Sequence, residues 1–141
     1  MYTFFAFALI CTFLSIGVLH LYWAVGGKKW IDLAVPKTVT GQLLFKPGAA
    51  ETIIVALGLF GFAGIIGTKA HFIGLPFGNE IYLSYATAII GFLFLIRSIG
   101  EFRYVGFFKK IKHTDFGKMD TLYYSPLCFI IAVMCLIVFV L

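Results

Sequence analysis

Charged side chains are scarce in this sequence of 141 residues. Asp, Glu, Lys and Arg make up 12% of the chain, whereas a soluble globular domain contains about 25%. Hydrophobic residues make up 62%, and the mean hydropathy is +1.04. So little charge excludes a water-soluble domain, including one that binds nucleic acid through a soluble basic face. The composition predicts a protein that lies in a lipid bilayer.

Cysteine is also scarce, and no motif for a reactive centre accompanies it. Cys11, Cys128 and Cys135 all fall in apolar runs and lack the spacing of a metal site. The sequence has no nucleophile motif, metal cage or Gly-rich phosphate loop, so we expect no metal and no cofactor. In the last apolar run, Ser125 and Ala132 share a helix face with Cys128 and Cys135. This stripe of small residues predicts close helix packing with reduced thiols.

Four charge-free runs occupy more than half of the chain. A charged side chain at the bilayer centre costs about 3 kcal/mol or more, so such runs mark candidate transmembrane helices. They are predicted at about 2–25, 49–67, 81–99 and 121–141. We therefore predict an all-α membrane protein, a four-transmembrane-helix bundle that forms a single domain over residues 1–141.

Basic residues are distributed unevenly among the connectors. All of the 11 Lys and Arg residues except Lys69 lie near the connector between the first two helices or the connector between the last two. Basic residues in short loops are retained on the cytoplasmic side. The sequence therefore predicts a multi-pass protein of the cell (inner) membrane, with both termini and the 68–80 loop outside. The net charge of +5 then indicates membrane lipids as partners, and we expect no nucleic acid.

The connector between the third and fourth helices combines basic and aromatic residues. Over residues 100–120 it reads GEFRYVGFFKKIKHTDFGKMD, which is too basic to span a membrane and too aromatic for a solvated loop. Tyr104, Val105, Phe108 and Ile111 recur at a helical period. This pattern predicts a helix in the cytoplasmic interface, or a continuation of the third helix. We favour a structural anchor over a lid that covers a ligand.

Polar side chains gather near the end of the predicted bundle that carries the basic connectors. The candidate ligand-binding residues there are His20, Tyr22, Trp23, Glu51, Arg97, Glu101, Arg103, Asp120 and Tyr124. Ionisable groups within a membrane are functional candidates, because burying them unpaired is costly. We expect one cluster in which Arg97 or Arg103 pairs with a carboxylate of Glu51, Glu101 or Asp120. The alternative is an interfacial aromatic belt with weak surface ion pairs.

Four pieces of the sequence resemble a known family. They are HLYWAVGGKK (20–29), FKPGAAET (45–52), RSIGEFRYVGFFKK (97–110) and DTLYYSPLC (120–128). In this order they resemble a bacterial family of small membrane proteins known as domain of unknown function 3995. The resemblance covers essentially the whole chain. It implies a four-helix membrane protein whose signature pieces lie at the basic end, and it implies no particular activity.

Three functions are compatible with the sequence. We favour binding or transport of a small lipophilic or amphipathic ligand, whose polar head would lie in the polar pocket. Transport by so few short helices would require a homo-oligomer. The second function is a membrane-embedded enzyme acting on a lipid or isoprenoid headgroup, with His20 or a carboxylate as general base. The third is an interaction subunit of a membrane complex, whose stripe of small residues docks a partner helix.

Overall fold

The computed structural model describes residues 2–74 and 79–141, so the predicted 68–80 loop lies partly outside the described residues. The elements are α1 (Tyr2–Ala24), α2 (Ile31–Ala34), α3 (Ala49–Lys69), α4 (Glu80–Ile99), α5 (Asp115–Met119), a π-helical turn (Asp120–Tyr124) and α6 (Ser125–Val140). Four segments are long and apolar enough to cross a membrane, namely α1, α3, α4 and the continuous stretch Asp115–Val140. The predicted all-α class and the four candidate membrane spans are confirmed.

Side-chain caps mark where two of the helices begin. The side chain of Asn79 accepts a hydrogen bond from the amide of Ile81 at 3.0 Å, at the start of α4. The hydroxyl of Thr114 accepts from the amide of Gly117 at the same distance, at the start of α5. Each cap supplies a partner for an amide that has none within the helix, which typically contributes about 1 kcal/mol. The last helical stretch therefore begins well before residue 121, where the sequence predicted it.

Glycine positions bring α1 and α3 close together in antiparallel orientation. Gly17 of α1 faces the ring of Phe60, and Ile10, two turns earlier, faces Gly67. As the chain advances along α1, its contacts on α3 therefore move backwards. The missing side chain at each glycine allows the close approach on which helix association in lipid depends.

The contacts between α3 and α4 show that this pair is antiparallel too. The rings of Phe62 and Phe94 lie 6.4 Å apart, and the ammonium of Lys69 donates to the hydroxyl of Ser84 at 2.8 Å. Both aromatic rings surround Phe13 of α1, which is fully buried at the centre of the bundle. Phe13 thus connects three of the four long helices.

The predicted stripe of small residues is the seam between α4 and α6. A Cβ atom added at Gly91 would lie 2.9 Å from the Cβ atom of Cys135. Ser125, Ala132 and Cys135 are all buried. The three cysteines are free thiols in the described chain. The packing prediction is confirmed, and because α4 covers the seam, a partner helix would have to displace α4 to use it.

Gly91→Leu is expected to lower the free energy of unfolding by about 1–3 kcal/mol, because the added side chain must push α4 away from α6. Gly61→Leu is the matched control, since a Cβ atom at Gly61 meets no atom within 4 Å in residues 2–74 and 79–141. Circular dichroism during SDS titration in mild detergent measures the unfolding of both variants. Equal stability of the two variants would contradict close packing of α4 against α6 at Gly91.

The helix predicted between the third and fourth spans is not present over residues 100–114. This segment forms an irregular loop, which we call the 100–114 loop. Its backbone has positive φ at Gly100, Phe102 and Gly106, with values of +84°, +66° and +91°. Helical residues have negative φ, so these three positions interrupt any helix. The prediction was wrong because the segment whose apolar residues recur at a helical period also contains Gly100 and Gly106, where the chain reverses direction.

Antiparallel packing places four helix ends together. α1 and α4 end, and α3 and α5 begin, at the end of the bundle that we call the basic end. The connector between α1 and α3 and the 100–114 loop both lie there. The candidate site residues of the sequence are therefore all close to this end along the chain, and their side-chain contacts decide which of them meet.

Candidate functional site

Asp120 is the centre of the polar contacts at the basic end. Its side chain is fully buried, and its two carboxylate oxygens accept four hydrogen bonds. Arg97 donates to Oδ1 at 3.0 Å, and Lys109 donates to Oδ2 at 2.8 Å. The amide of Gly106 and the hydroxyl of Ser125 also donate to Oδ2, at 2.9 and 3.0 Å. We call these five residues the Asp120 cluster. Oδ2 accepts three of these bonds and Oδ1 accepts one. Because the carboxylate is fully buried among these donors, Asp120 positions other groups and is shielded from a ligand.

The π-helical turn brings two members of the Asp120 cluster to the same side. In an α-helix, residues five positions apart point about 140° away from each other. In the π-helical turn, the amide of Ser125 donates to the carbonyl of Asp120, which widens the turn. The hydroxyl of Ser125 thereby reaches the Asp120 carboxylate. π-Helical turns are rare among helices in general, and those that do occur are frequently found at functional sites.

Three members of the cluster, Gly106, Lys109 and Ser125, were not among the candidate site residues, and Lys109 is the charged one. Its side chain is fully buried, and its ammonium also donates to the carbonyl of Gly106 at 3.1 Å. A buried ammonium is stable only when it is paired and hydrogen-bonded, so the pair with Asp120 holds the 100–114 loop on the bundle. No local feature separates Lys109 from the exposed Lys110 and Lys112. The sequence feature that could have indicated its burial is the pair Gly100 and Gly106, at which the chain can reverse direction.

Those two glycines let the loop close over the end of α4. Gly100 and Gly106 lie backbone to backbone. A Cβ atom added at Gly100 would collide with the carbonyl of Val105, and one added at Gly106 would collide with the carbonyl of Ile99. Both positions also have the positive φ that favours glycine. The close contact directs the amide of Gly106 at Asp120.

The outer side of the loop forms an open groove of about 470 Å³, which we call the loop groove. It is lined by Glu101, Phe102, Arg103, Lys110 and Ile111. Two backbone hydrogen bonds hold its walls together. The amide of Lys110 donates to the carbonyl of Phe102 at 3.2 Å, and the amide of Ile111 donates to the carbonyl of Arg103 at 2.9 Å. The groove thus has a fixed backbone while its side chains face outwards.

The loop groove carries an excess of positive charge. Glu101 accepts a hydrogen bond from the amide of Tyr104 at 2.7 Å, so its carboxylate stabilises the loop itself. The guanidinium of Arg103 lies 5.2 Å from the centre of the Tyr104 ring, a cation–π contact. Within residues 2–74 and 79–141, neither Arg103 nor Lys110 forms an ion pair with a carboxylate. Both cations remain available to an anion.

The structure brings together only part of the predicted cluster. Arg97 and Asp120 form the expected ion pair, which confirms that contact. Glu101 and Arg103 lie at the loop groove instead. Glu51 is exposed in the first turn of α3 and forms no ion pair in the described part of the chain. The expectation of one shared cluster was wrong for these residues.

The candidate residues of α1 form a group of their own. Nδ1 of His20 hydrogen-bonds the carbonyl of Ile16 at 2.8 Å, and the His20 ring lies edge-on to Trp23 at 5.1 Å. The indole of Trp23 donates to the carbonyl of Lys29 at 2.8 Å. Tyr22 is exposed beside them. Among the described residues, no hydrogen bond or ion pair joins these three side chains to the Asp120 cluster.

Tyr124 links the connector between α1 and α3 to the start of the fourth candidate span. Its hydroxyl donates to the carbonyl of Leu33 in α2 at 3.3 Å. Its ring lies 6.0 Å from that of the buried Phe116. Lys37 and Asp115 add a weak ion pair of 3.9 Å between the same two segments. Tyr124 therefore contributes to the packing of the basic end, and its predicted contact with a ligand stays a prediction.

Comparison with family models identifies the family of this chain. A family model described as protein of unknown function (DUF3995) matches residues 13–135, which covers most of the chain and confirms the resemblance seen in the sequence. Searches of curated proteins and of solved structures found no match.

Proposed function

Because the chain belongs to the DUF3995 family, which carries no assigned activity, we propose a function from the geometry of the basic end. The protein is a multi-pass membrane protein that binds an anionic, amphipathic lipid-like ligand in the loop groove. One observation carries this proposal: a groove lined by the exposed Phe102 and by two cations that have no carboxylate partner among the described residues is held on the bundle by the buried Asp120 cluster.

The charge and shape of the loop groove favour an anionic headgroup. Arg103 and Lys110 line it without carboxylate partners in the described residues. A lipid phosphate is attracted to clustered Lys and Arg beside a membrane. Phe102 is 57% exposed and Phe108 is 64% exposed, so an apolar tail would find aromatic surface next to the cations. Basic and aromatic residues together are typical of segments that lie in the membrane interface.

The Asp120 cluster serves this function indirectly. Arg97, Lys109 and Asp120 face one another and fix the backbone of the 100–114 loop. A groove held in one conformation loses less conformational entropy when it binds a ligand. In this proposal Arg103 and Lys110 contact the headgroup, and Asp120 positions the loop that carries them.

A lipid-binding measurement tests this function. In Arg103→Gln/Lys110→Gln we expect affinity for phosphatidylglycerol to fall roughly tenfold or more, because each cation near an anionic surface contributes about 1 kcal/mol. Native mass spectrometry of the purified protein, titrated with phosphatidylglycerol or phosphatidylcholine in neutral detergent, measures the affinity. Lys112→Gln/Lys118→Gln is the matched control, since both lysines are exposed and line no part of the groove.

Two outcomes would contradict the proposal. One is equal affinity of the unmodified protein for the two lipids, which would leave no role for the cations. The other is an equal loss in the groove variant and in the control variant, which would indicate a general effect of net charge.

The proposed orientation places the loop groove on the cytoplasmic side, since the basic connectors favour that side. Reporter fusions near residues 38 and 112 should therefore report the cytoplasm, and fusions after residue 75 and at the C-terminus should report the outside. Alkaline phosphatase and green fluorescent protein, which are active on opposite sides of a bacterial inner membrane, provide the measurement. A cytoplasmic C-terminus would rule out this orientation.

An interaction subunit is the second candidate, and its support lies on α3. Added Cβ atoms at Gly58, Gly61 and Gly64 meet no atom of the described residues within 4 Å. Small residues on an uncovered face allow a partner helix, or a second copy of this chain, to approach closely. A stoichiometric protein that co-purifies in mild detergent without bound lipid would favour this candidate.

An enzyme acting on a headgroup has less support. A general base must have a free lone pair within reach of its substrate. Asp120 is fully buried among four donors. Nδ1 of His20 donates to the carbonyl of Ile16, so the free lone pair of its ring is on Nε2. Neither residue lines the loop groove.

A further inference from the structure

The end of α1 is built to turn the chain back sharply. The helix ends in a Schellman motif, in which the amides of Gly26 and Gly27 donate to the carbonyls of Trp23 and Tyr22 at 3.1 and 2.9 Å. Gly26 has the positive φ, +96°, that this motif requires. The carbonyls of Tyr22 and Trp23 are thereby satisfied. Gly27 packs directly on the ring of Tyr22. A larger residue at Gly27 would collide with that ring.

The turn presents Lys29 and Trp30 together. The indole of Trp23 donates to the carbonyl of Lys29 and so holds the turn beside the helix. The ammonium of Lys29 lies 4.7 Å from the centre of the Trp30 ring. Trp30 has φ of +66°, a left-handed conformation that bulky residues rarely adopt. Such strained positions often occur where a side chain must point in a particular direction for function.

A groove of about 580 Å³ lies between this turn and the outer face of α1, and we call it the α1 groove. It is lined by Ser15, Val18, Leu19, Tyr22, Lys29 and Trp30. Its wall on α1 is apolar, and the hydroxyl of Ser15 is satisfied because it donates to the carbonyl of Cys11 at 2.7 Å. At the opposite end stand a cation and two aromatic rings. The groove is thus apolar along the candidate membrane span and positively charged where that span ends.

We propose that the α1 groove binds one anionic membrane phospholipid. The phosphate lies at the ammonium of Lys29, the glycerol region lies against Trp30 and Tyr22, and one acyl chain lies along Val18 and Leu19. The site is separate from the loop groove, because the two grooves have no lining residue in common.

Charge complementarity selects an anionic phospholipid over a neutral one. Lys29 pairs with no carboxylate in residues 2–74 and 79–141. A lysine at the membrane surface attracts anionic lipids, and aromatic residues such as Trp and Tyr favour the headgroup level. The groove has the volume of a ligand site, about 300–1,000 Å³, and its apolar wall suits a hydrocarbon chain.

Tryptophan fluorescence in vesicles tests the proposal. The intact protein is reconstituted with a minor fraction of phosphatidylglycerol brominated near the carbonyl end of its acyl chains, or with brominated phosphatidylcholine. Bromine quenches only nearby indoles, so a bound lipid quenches Trp30 more than lipid mixing alone would. We expect brominated phosphatidylglycerol to quench more, and the excess to fall in Trp30→Phe, which leaves only Trp23 as a tryptophan.

Neighbouring lysines provide a matched pair. Lys29→Gln should reduce the preference for phosphatidylglycerol about fivefold, the factor that one basic residue near an anionic surface contributes. Lys28→Gln should leave it unchanged, because Lys28 does not line the groove. High salt should also reduce the excess in the unmodified protein, which requires no variant.

The outcomes separate this site from the loop groove. Equal quenching by the two lipids, or an equal loss in Lys28→Gln and Lys29→Gln, would overturn the proposal. In Arg103→Gln/Lys110→Gln the excess quenching should remain, even where affinity at the loop groove is lost. Loss of the excess in that variant would mean that there is no separate site at Lys29.

Discussion

Asp120→Asn is expected to lower the free energy of unfolding by about 3–5 kcal/mol, because it leaves two cations without their counter-charge. The ammonium of Lys109 is fully buried, and Arg97 retains no other carboxylate partner in the described residues. An amide keeps one acceptor oxygen and places an NH2 donor where the other oxygen was, so the loss combines the missing charge with at least one lost hydrogen bond. SDS titration in mild detergent, followed by circular dichroism, measures the change.

Asp115→Asn is the control for this prediction. Its side chain is 66% exposed, and its contact with Lys37 spans 3.9 Å, so we expect a loss below about 1 kcal/mol. A double variant, Lys109→Met/Asp120→Asn, should be more stable than Asp120→Asn alone, since the buried ammonium is removed with its partner. Equal stability of Asp115→Asn and Asp120→Asn would contradict a structural role for the Asp120 cluster.

The spans could be predicted from the sequence because the bilayer excludes charge. The predicted ranges 2–25, 49–67 and 81–99 correspond closely to α1, α3 and α4. The fourth range began too late, at 121 instead of Asp115, because the criterion treats every charge as a break. Asp120 can lie inside that helical stretch because Arg97 and Lys109 neutralise it.

The candidate site was harder to predict, because closeness to a membrane end does not determine where a side chain points. Arg97 and Glu101 are four positions apart, a spacing that places two residues on the same face of a continuous helix. α4 ends at Ile99, however, and Gly100 turns the chain, so Glu101 lies in the 100–114 loop. The i, i+4 rule did not apply once the helix had ended.

The burial of Lys109 depends on long-range contacts that no local pattern contains. Three lysines, at 109, 110 and 112, are chemically identical in the sequence, and only the first is buried. Which one turns inwards is decided by the reversal at Gly106 and by Asp120, eleven residues further along the chain. Residue type alone would therefore place all three in solvent or at lipid headgroups.

Gly106→Ala is expected to have the second large effect, a loss of about 3 kcal/mol or more in the free energy of unfolding. The new Cβ atom would collide with the carbonyl of Ile99, and the positive φ of +91° adds strain for any residue with a side chain. The loop must then move away from α4. Asp120 would lose the amide of Gly106, and Lys109 would be drawn out of its buried position.

Gly41→Ala separates the two causes of that loss. Gly41 also has positive φ, +82°, but within the part of the chain that the structure describes an added Cβ atom meets no atom within 4 Å. The control should therefore show only the conformational cost, about 1–2 kcal/mol. SDS titration measures both variants, and limited trypsin digestion should cut Gly106→Ala faster after Arg103 and Lys110, because its loop is released. If Gly106→Ala were no less stable and no more easily cut than Gly41→Ala, the backbone contact between Gly100 and Gly106 would not be what holds the loop groove in place.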